Sequence, residues 1–167
     1  DNMWSILKCN LKEKELLKQD FQKILGKSFK MYSPKIIFQK YKKNKLISKE
    51  YKLLGEYIFC YHDMFKDKKT LNLLKNSRGL KFFLNGFANS QNDINKFISL
   101  CKSNEDKNGY INQKFFESKL NSKYIFKSGP FTENIFKILE IQKNKFKIMM
   151  GKFTTLISKD KYIFKPV

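Results

Sequence analysis

Apolar positions along the chain follow two periods, and the alternation between them predicts the elements. MWSILKC, residues 3–9, is apolar at most positions and predicts a buried strand. In LKEKELLKQDFQKILGK, Leu11, Leu17, Phe21, Ile24 and Leu25 fall near one face of a helix that Gly26 stops. KMYSPKIIFQKYKKNKLISKEYK predicts two strands joined near Lys43 to Lys45 by a basic turn whose tip is exposed. Tyr57 to Tyr61 reads as a short apolar strand, and Asp67 to Asn76 as a short helix that closes before Ser77-Arg78-Gly79. Leu80 to Leu84 forms another strand, ended by Asn85-Gly86. Residues 91–102 place Ile94, Phe97, Ile98 and Cys101 at i, i+3, i+4 and i+7, the clearest helical face in the chain.

This order predicts an α+β fold in which helices cover a mostly antiparallel sheet. After Lys102 the chain turns polar as far as Lys123. It then becomes rich in β-branched and aromatic residues punctuated by Gly, Asn and Lys. The expected organisation is a domain over 1–103, a linker over 104–123, and a small five-stranded barrel over 124–167. Helix competes with strand in that last segment, because Ile135, Ile138, Leu139 and Phe146 also fit one helical face.

The linker opens with SNEDKNGYIN, which imitates a calcium loop. Asn104, Asp106, Asn108 and Gly109 stand in the register of an EF-hand, but its twelfth position, where a bidentate Glu is needed, is Phe115. The expectation is a polar turn with no metal.

Charge changes the picture more. The 167 residues carry 35 Lys plus Arg against 15 Asp plus Glu, a formal +20, which attracts polyanions, nucleic acid or an acidic membrane face, and points to nucleic-acid contact over a merely solvated basic surface. A/T-rich codon usage accounts for Lys over Arg better than for Lys over Glu. The apolar fraction of 41%, with 17 Phe and 8 Tyr, is enough for a packed core. Cys9, Cys60 and Cys101 are too scattered and too few for a disulfide framework or zinc site, which fits a reducing, cytoplasmic setting. No apolar run reaches the roughly 18–20 residues of a membrane span. The single histidine, His62, stands next to Asp63 at a strand end. With no phosphate loop, paired-carboxylate motif or nucleophile elbow, no enzyme and no cofactor is expected.

Several stretches then resemble the NusG family of transcription elongation factors, in particular its specialised RfaH-type paralogues. Met3-Trp4 with Ser5-Ile6-Leu7-Lys8-Cys9 is similar to the family's opening strand, and Tyr32-Ser33-Pro34-Lys35-Ile36 to its second. Leu53-Leu54-Gly55-Glu56-Tyr57-Ile58-Phe59 resembles a Phe-Pro-Gly-Tyr-Val-Phe element, without its proline and with Glu56 inserted. Asn76-Ser77-Arg78-Gly79-Leu80 with Phe83 resembles Asn-Thr-Arg-Gly-Val, and Ser128-Gly129-Pro130-Phe131 the start of a KOW domain. The glycines that follow there in the family are replaced across Thr132 to Phe136.

The resemblance implies an NGN-type α/β sandwich followed by a KOW-type β-barrel. It implies an antitermination factor that docks on the clamp helices of the largest catalytic subunit of RNA polymerase and suppresses pausing. Leu54, Tyr57, Phe59 and Phe83 would line the docking depression. Lys12, Lys14, Lys75 and Arg78 would touch upstream or non-template DNA, with Lys42, Lys43 and Lys45 on the hairpin as a second patch. The polar residues that RfaH-type proteins offer to an opposing polymerase loop appear here as Thr70-Leu71-Asn72-Leu73. The apolar loop that general NusG proteins present to Rho or a ribosomal protein has no counterpart around Gly151 to Thr155, which favours a paralogue serving selected operons. The alternative is a ribosomal-type KOW protein that grips RNA through its lysines.

Overall fold

The computed structural model describes residues 3–112, 134–135, 137–145 and 147–148, and these are mixed α and β with antiparallel sheets. In chain order the main elements are β1 (Met3–Cys9), α1 (Lys14–Leu25), β2 (Lys30–Tyr32), β3 (Lys35–Lys42), β4 (Lys45–Lys52), β5 (Tyr57–His62), α2 (Lys68–Leu74), β6 (Leu80–Phe83) and α3 (Gln91–Ser103). They fall into two compact units, Asp1–Ser33 with Glu56–Ile98, and Pro34–Gly55 with Ser99–Val167. This division differs from the expected boundaries at 103 and 123, because the hairpin leaves the first unit and joins residues from the far end of the chain.

The first unit is built on a four-stranded sheet in the order β2-β5-β1-β6. Trp4 to Leu7 are buried without a break, the signature of a strand covered on both faces. On one face, Phe21 of α1 stacks on Phe83 at 6.3 Å, and Phe65 meets the same ring at 6.0 Å. On the other face, Phe97 of α3 packs 5.8 Å from Phe59. Helix α1 buries Leu17, Phe21 and Leu25, at i, i+4 and i+8, and ends at Gly26 with φ +77°, as the sequence suggested. Helix α2 starts on Asp67, whose carboxylate accepts from the Thr70 hydroxyl and the Lys69 and Thr70 amides. The Thr70 hydrogen bond, followed by the Lys69 amide, holds the Asp67 carboxyl below its ordinary range.

In the second unit, β3 and β4 pair from Lys35↔Lys52 to Lys42↔Lys45. The turn is the two residues Lys43 and Asn44, with φ 50° and 61°, the positive-φ geometry whose twist matches a hairpin. Ile36, Leu53 and Leu54 are buried at its base. The SNEDKNGYIN stretch packs against β3: the Ile111 amide donates to the Lys35 carbonyl at 2.8 Å, and Ile111 is buried. It is therefore a fastened turn and not a free linker.

Residues 134–135, 137–145 and 147–148 are helical. This corrects the five-stranded barrel for those residues. Ile135, Ile138 and Leu139 are buried while Ile141 and Ile148 are exposed, a one-sided pattern of helical period. Phe146 and the remaining residues of the expected barrel lie outside the described residues. No described helix is long and apolar enough to cross a membrane.

Candidate functional site

The pairing register decides which aromatic side chains share a surface. In β1–β5, Ile6 is opposite Phe59 and Lys8 opposite Tyr57; in β1–β6, Lys8 is opposite Phe82 and Leu7 opposite Phe83. Strand alternation therefore puts Trp4, Phe59, Tyr57, Lys8 and Phe82 on the α3 face, and Phe83 on the α1 face. The register shifts between Lys8 and Cys9, so Cys9 is opposite Leu80.

The α3 face is covered at one end and open at the other. Phe59 is 0% exposed, ringed by Trp4, Tyr32 and Phe97. Beyond it Tyr57 is half-buried and Phe82 is 45% exposed. Their rings meet edge to face at 6.4 Å, with the Lys8 ammonium 5.5 Å from Tyr57 and 6.0 Å from Phe82. Lys81 reaches Glu56 at 2.5 Å beside them.

The expected docking set therefore breaks up. Tyr57 stays on a partly open surface. Phe59 is core, since a residue alternating with Tyr57 toward the same face is the one α3 covers. Phe83 points to the opposite face, beneath α1. Leu54 belongs to the base of the second unit and is 1% exposed. Phe82, which the sequence reading passed over for its neighbour, is the exposed ring. The signal for it was alternation carried across from Tyr57 through Lys8.

The basic residues separate as well. Gly79 has φ +79°, and a Cβ there would meet the Glu13 carbonyl oxygen at 2.9 Å. This close approach brings the 77–79 loop to the start of α1, so Lys12, Lys14 and Arg78 lie around one corner. Within it, Arg78 is paired with an acid. Arg78 donates to Asp20 from its backbone amide at 2.8 Å and through Nη2 and Nε at 2.8 Å and 3.1 Å. The Arg78 side-chain bonds, then its amide, pull the Asp20 carboxyl down to about 2. Arg78 thereby clips the 77–79 loop to α1. Lys75 caps the end of α2 and is exposed.

In the second unit, Lys42, Lys43 and Lys45 are exposed at the hairpin tip. The first acid along β4 is Glu50, which is held by Lys35 at 3.4 Å and Lys52 at 3.8 Å. The tip is thus a carboxylate-free lysine cluster.

Two arrangements resemble chemistry without supporting it. Ser28 Oγ lies 3.2 Å from His62 Nε2, and Asp63 Oδ1 lies 3.0 Å from His62 Nδ1. However, Nδ1 also accepts from the Met64 amide at 3.1 Å. Nδ1 is thereby engaged by the backbone of the following turn. The imidazole is a cap for the following turn. In the imitation calcium loop, Asp106 Oδ1 accepts from the Asn108 and Tyr110 amides at 2.8 and 3.0 Å, so the carboxylate closes an Asx turn. Among the described residues no group of His, Cys, Asp and Glu is arranged to hold a metal. Cys60 is buried, and that burial pushes its thiol up to about 12, away from reactivity.

Comparison with protein-family models finds no matching family, and comparison with curated proteins finds no match.

Proposed function

We propose that this chain is a NusG-type transcription elongation and antitermination factor, a specialised RfaH-like paralogue acting on selected operons. Its first unit serves as the NGN-type module and docks on the clamp helices of the largest catalytic subunit of RNA polymerase. The observation that carries the reading is the open Tyr57–Phe82 ring pair on a sheet flanked by helices, with Lys8 above both rings. Exposed aromatic side chains supply large contact area at low rotamer cost and anchor interfaces. By holding a closed clamp, the bound factor would stabilise one conformation of its partner and suppress pausing without bond chemistry.

The hairpin lysines Lys42, Lys43 and Lys45, with Lys12, Lys14 and Lys75, add contact to upstream or non-template DNA. The region over 124–167 belongs to the same reading as a KOW-type module, within which residues 134–135, 137–145 and 147–148 are helical. A ribosomal-type RNA-binding protein is the second reading, favoured by the carboxylate-free hairpin tip.

Retention on immobilised core RNA polymerase tests the proposal. Tyr57→Ala with Phe82→Ala is expected to weaken retention far more than Lys43→Ala, and the wild-type chain to shorten pauses in transcription in vitro. Equal losses from both variants, or unchanged pause lifetimes on several templates, would overturn it.

A further inference from the structure

The chain holds two Asn-Gly pairs, Asn85-Gly86 and Asn108-Gly109, and the fold treats them differently. Asn-Gly is the dipeptide most prone to cyclise through its own backbone, because glycine puts no side chain in the way of its amide nitrogen. Whether that nitrogen is available depends on the tertiary setting.

Asn108-Gly109 is tied. The Gly109 amide donates to the Asp106 carbonyl at 3.0 Å, and Asp106 Oδ1 accepts from the amides on either side, Asn108 at 2.8 Å and Tyr110 at 3.0 Å. Cyclisation there has to break the Asx turn first. Asn85-Gly86 is the opposite case: it forms the turn after β6, both residues are exposed, and neither forms a hydrogen bond with the described residues. Gly86 has φ +87°, and a Cβ on it would meet nothing within 4 Å.

The surroundings of Asn85-Gly86 also favour reaction. Both residues line a groove of about 780 Å³ together with Lys68, Lys75 and Lys81, and no carboxylate lines it among the described residues. Lys81 is held by Glu56, whereas Lys68 and Lys75 form no ion pair with the described residues. Ring closure starts with loss of the Gly86 amide proton and passes through an oxyanion on Asn85 Cγ. Ammonium groups in the same groove stabilise both negative charges.

We propose that Asn85-Gly86 is a self-modifying site, at which the folded chain converts an amide to a carboxylate without an enzyme. The Gly86 nitrogen bonds to Asn85 Cγ, the bond from Cγ to Nδ2 breaks, and Nδ2 leaves as ammonia with the proton that Gly86 gave up. A succinimide remains. Water then adds to either ring carbonyl, giving aspartate by one opening and isoaspartate, with a methylene inserted in the backbone, by the other. Each event places a negative charge in a lysine-lined groove, on the turn that follows Phe82. The site goes beyond the polymerase-docking reading and does not depend on it.

The test is peptide mapping by tandem mass spectrometry of the full chain aged in neutral buffer, native and in urea, with amide-to-acid conversion read at each asparagine. In the native chain Asn85 is expected to convert at least about ten-fold faster than Asn108, the protection that a few backbone hydrogen bonds confer. In urea the two rates are expected to converge. Asp106→Ala is expected to raise conversion at Asn108 and to leave Asn85 unchanged. Lys68→Gln with Lys75→Gln is expected to slow Asn85 about two-fold, and added salt to do the same in wild type, with circular dichroism unchanged. The inference is overturned if native Asn108 converts as fast as Asn85, if Asn85 converts in urea but not in the native chain, if Asp106→Ala leaves Asn108 unreactive, or if loss of both lysines leaves the Asn85 rate unchanged. No polymerase enters the readout, so its failure and that of the docking reading are separate.

Discussion

The Gln91 side chain closes on the backbone of Trp4 from both ends of its amide: Oε1 accepts from the Trp4 amide at 2.8 Å, and Nε2 donates to the Trp4 carbonyl at 2.7 Å. Strand β6 pairs with β1 only from Leu7 onward, so on that side of Trp4 no strand of the described residues pairs with it. Gln91 supplies the missing pairing and also donates to the Phe87 carbonyl at 2.8 Å, fixing the start of α3. Gln91→Ala is expected to cost about 1–3 kcal/mol in urea denaturation, the usual penalty for unsatisfied buried polar groups. Gln91→Glu would be worse at pH 7 than at pH 4, because an ionised carboxylate offers no donor to the two carbonyls.

The Asp20–Arg78 clip predicts an acid-sensitive contribution to stability. The Asp20 carboxyl is lowered from 3.8 to about 2 in the folded chain. A depressed carboxyl stabilises the fold above its unfolded value and loses that contribution as pH falls toward the folded value. Asp20→Asn should therefore be less stable than wild type at pH 7, with the gap closing between pH 4 and pH 2. Denaturant midpoints across that range check this. Arg78→Lys should not restore the clip, because an ammonium cannot reproduce the fork geometry.

Phe59 and Phe82 should behave oppositely. Phe59→Ala removes a ring that is 0% exposed and is expected to cost about 3–5 kcal/mol. Phe82→Ala, at a half-exposed edge, is expected to cost under about 1 kcal/mol. Thermal unfolding of the two variants measures the difference.

Tyr51 ties the helical residues 137–145 to the base of the hairpin. Its hydroxyl donates to the Gln142 carbonyl at 2.6 Å, and Gly55, with φ +60°, leaves room for the Gln142 side chain that a Cβ would displace. Burial raises the Tyr51 hydroxyl from 10.0 to about 12. The linked stability is present below pH 10 and is lost as pH rises through 12. Tyr51→Phe should remove one late phenolate step from an ultraviolet titration and should speed amide exchange in the 137–145 helix. Gly55→Ala should do the second without the first.

Much of the fold was legible because its causes are local. The Ile94, Phe97, Ile98 and Cys101 spacing fixed α3, and the Lys/Asn run marked a turn that closes at Lys43 and Asn44. The polar turn expected at SNEDKNGYIN closes on Asp106, whose Oδ1 accepts from two backbone amides. Less of the candidate site could be read. Tyr57 kept its place, but Phe59 proved to be core and Leu54 lies in the other unit. Alternation along one strand gives two faces; it does not say which stretch of a face a helix from far along the chain will cover.

The sequence by itself determined where helices and strands form between residues 3 and 103, which positions are apolar, and that the molecule is strongly basic, since propensity, period and charge are properties of neighbouring residues. Tertiary structure alone decided that Phe82 rather than Phe83 faces outward, that Arg78 is engaged by Asp20, and that the hairpin groups with residues beyond 98. Those outcomes depend on strand register and on contacts between residues tens of positions apart, which no local pattern encodes.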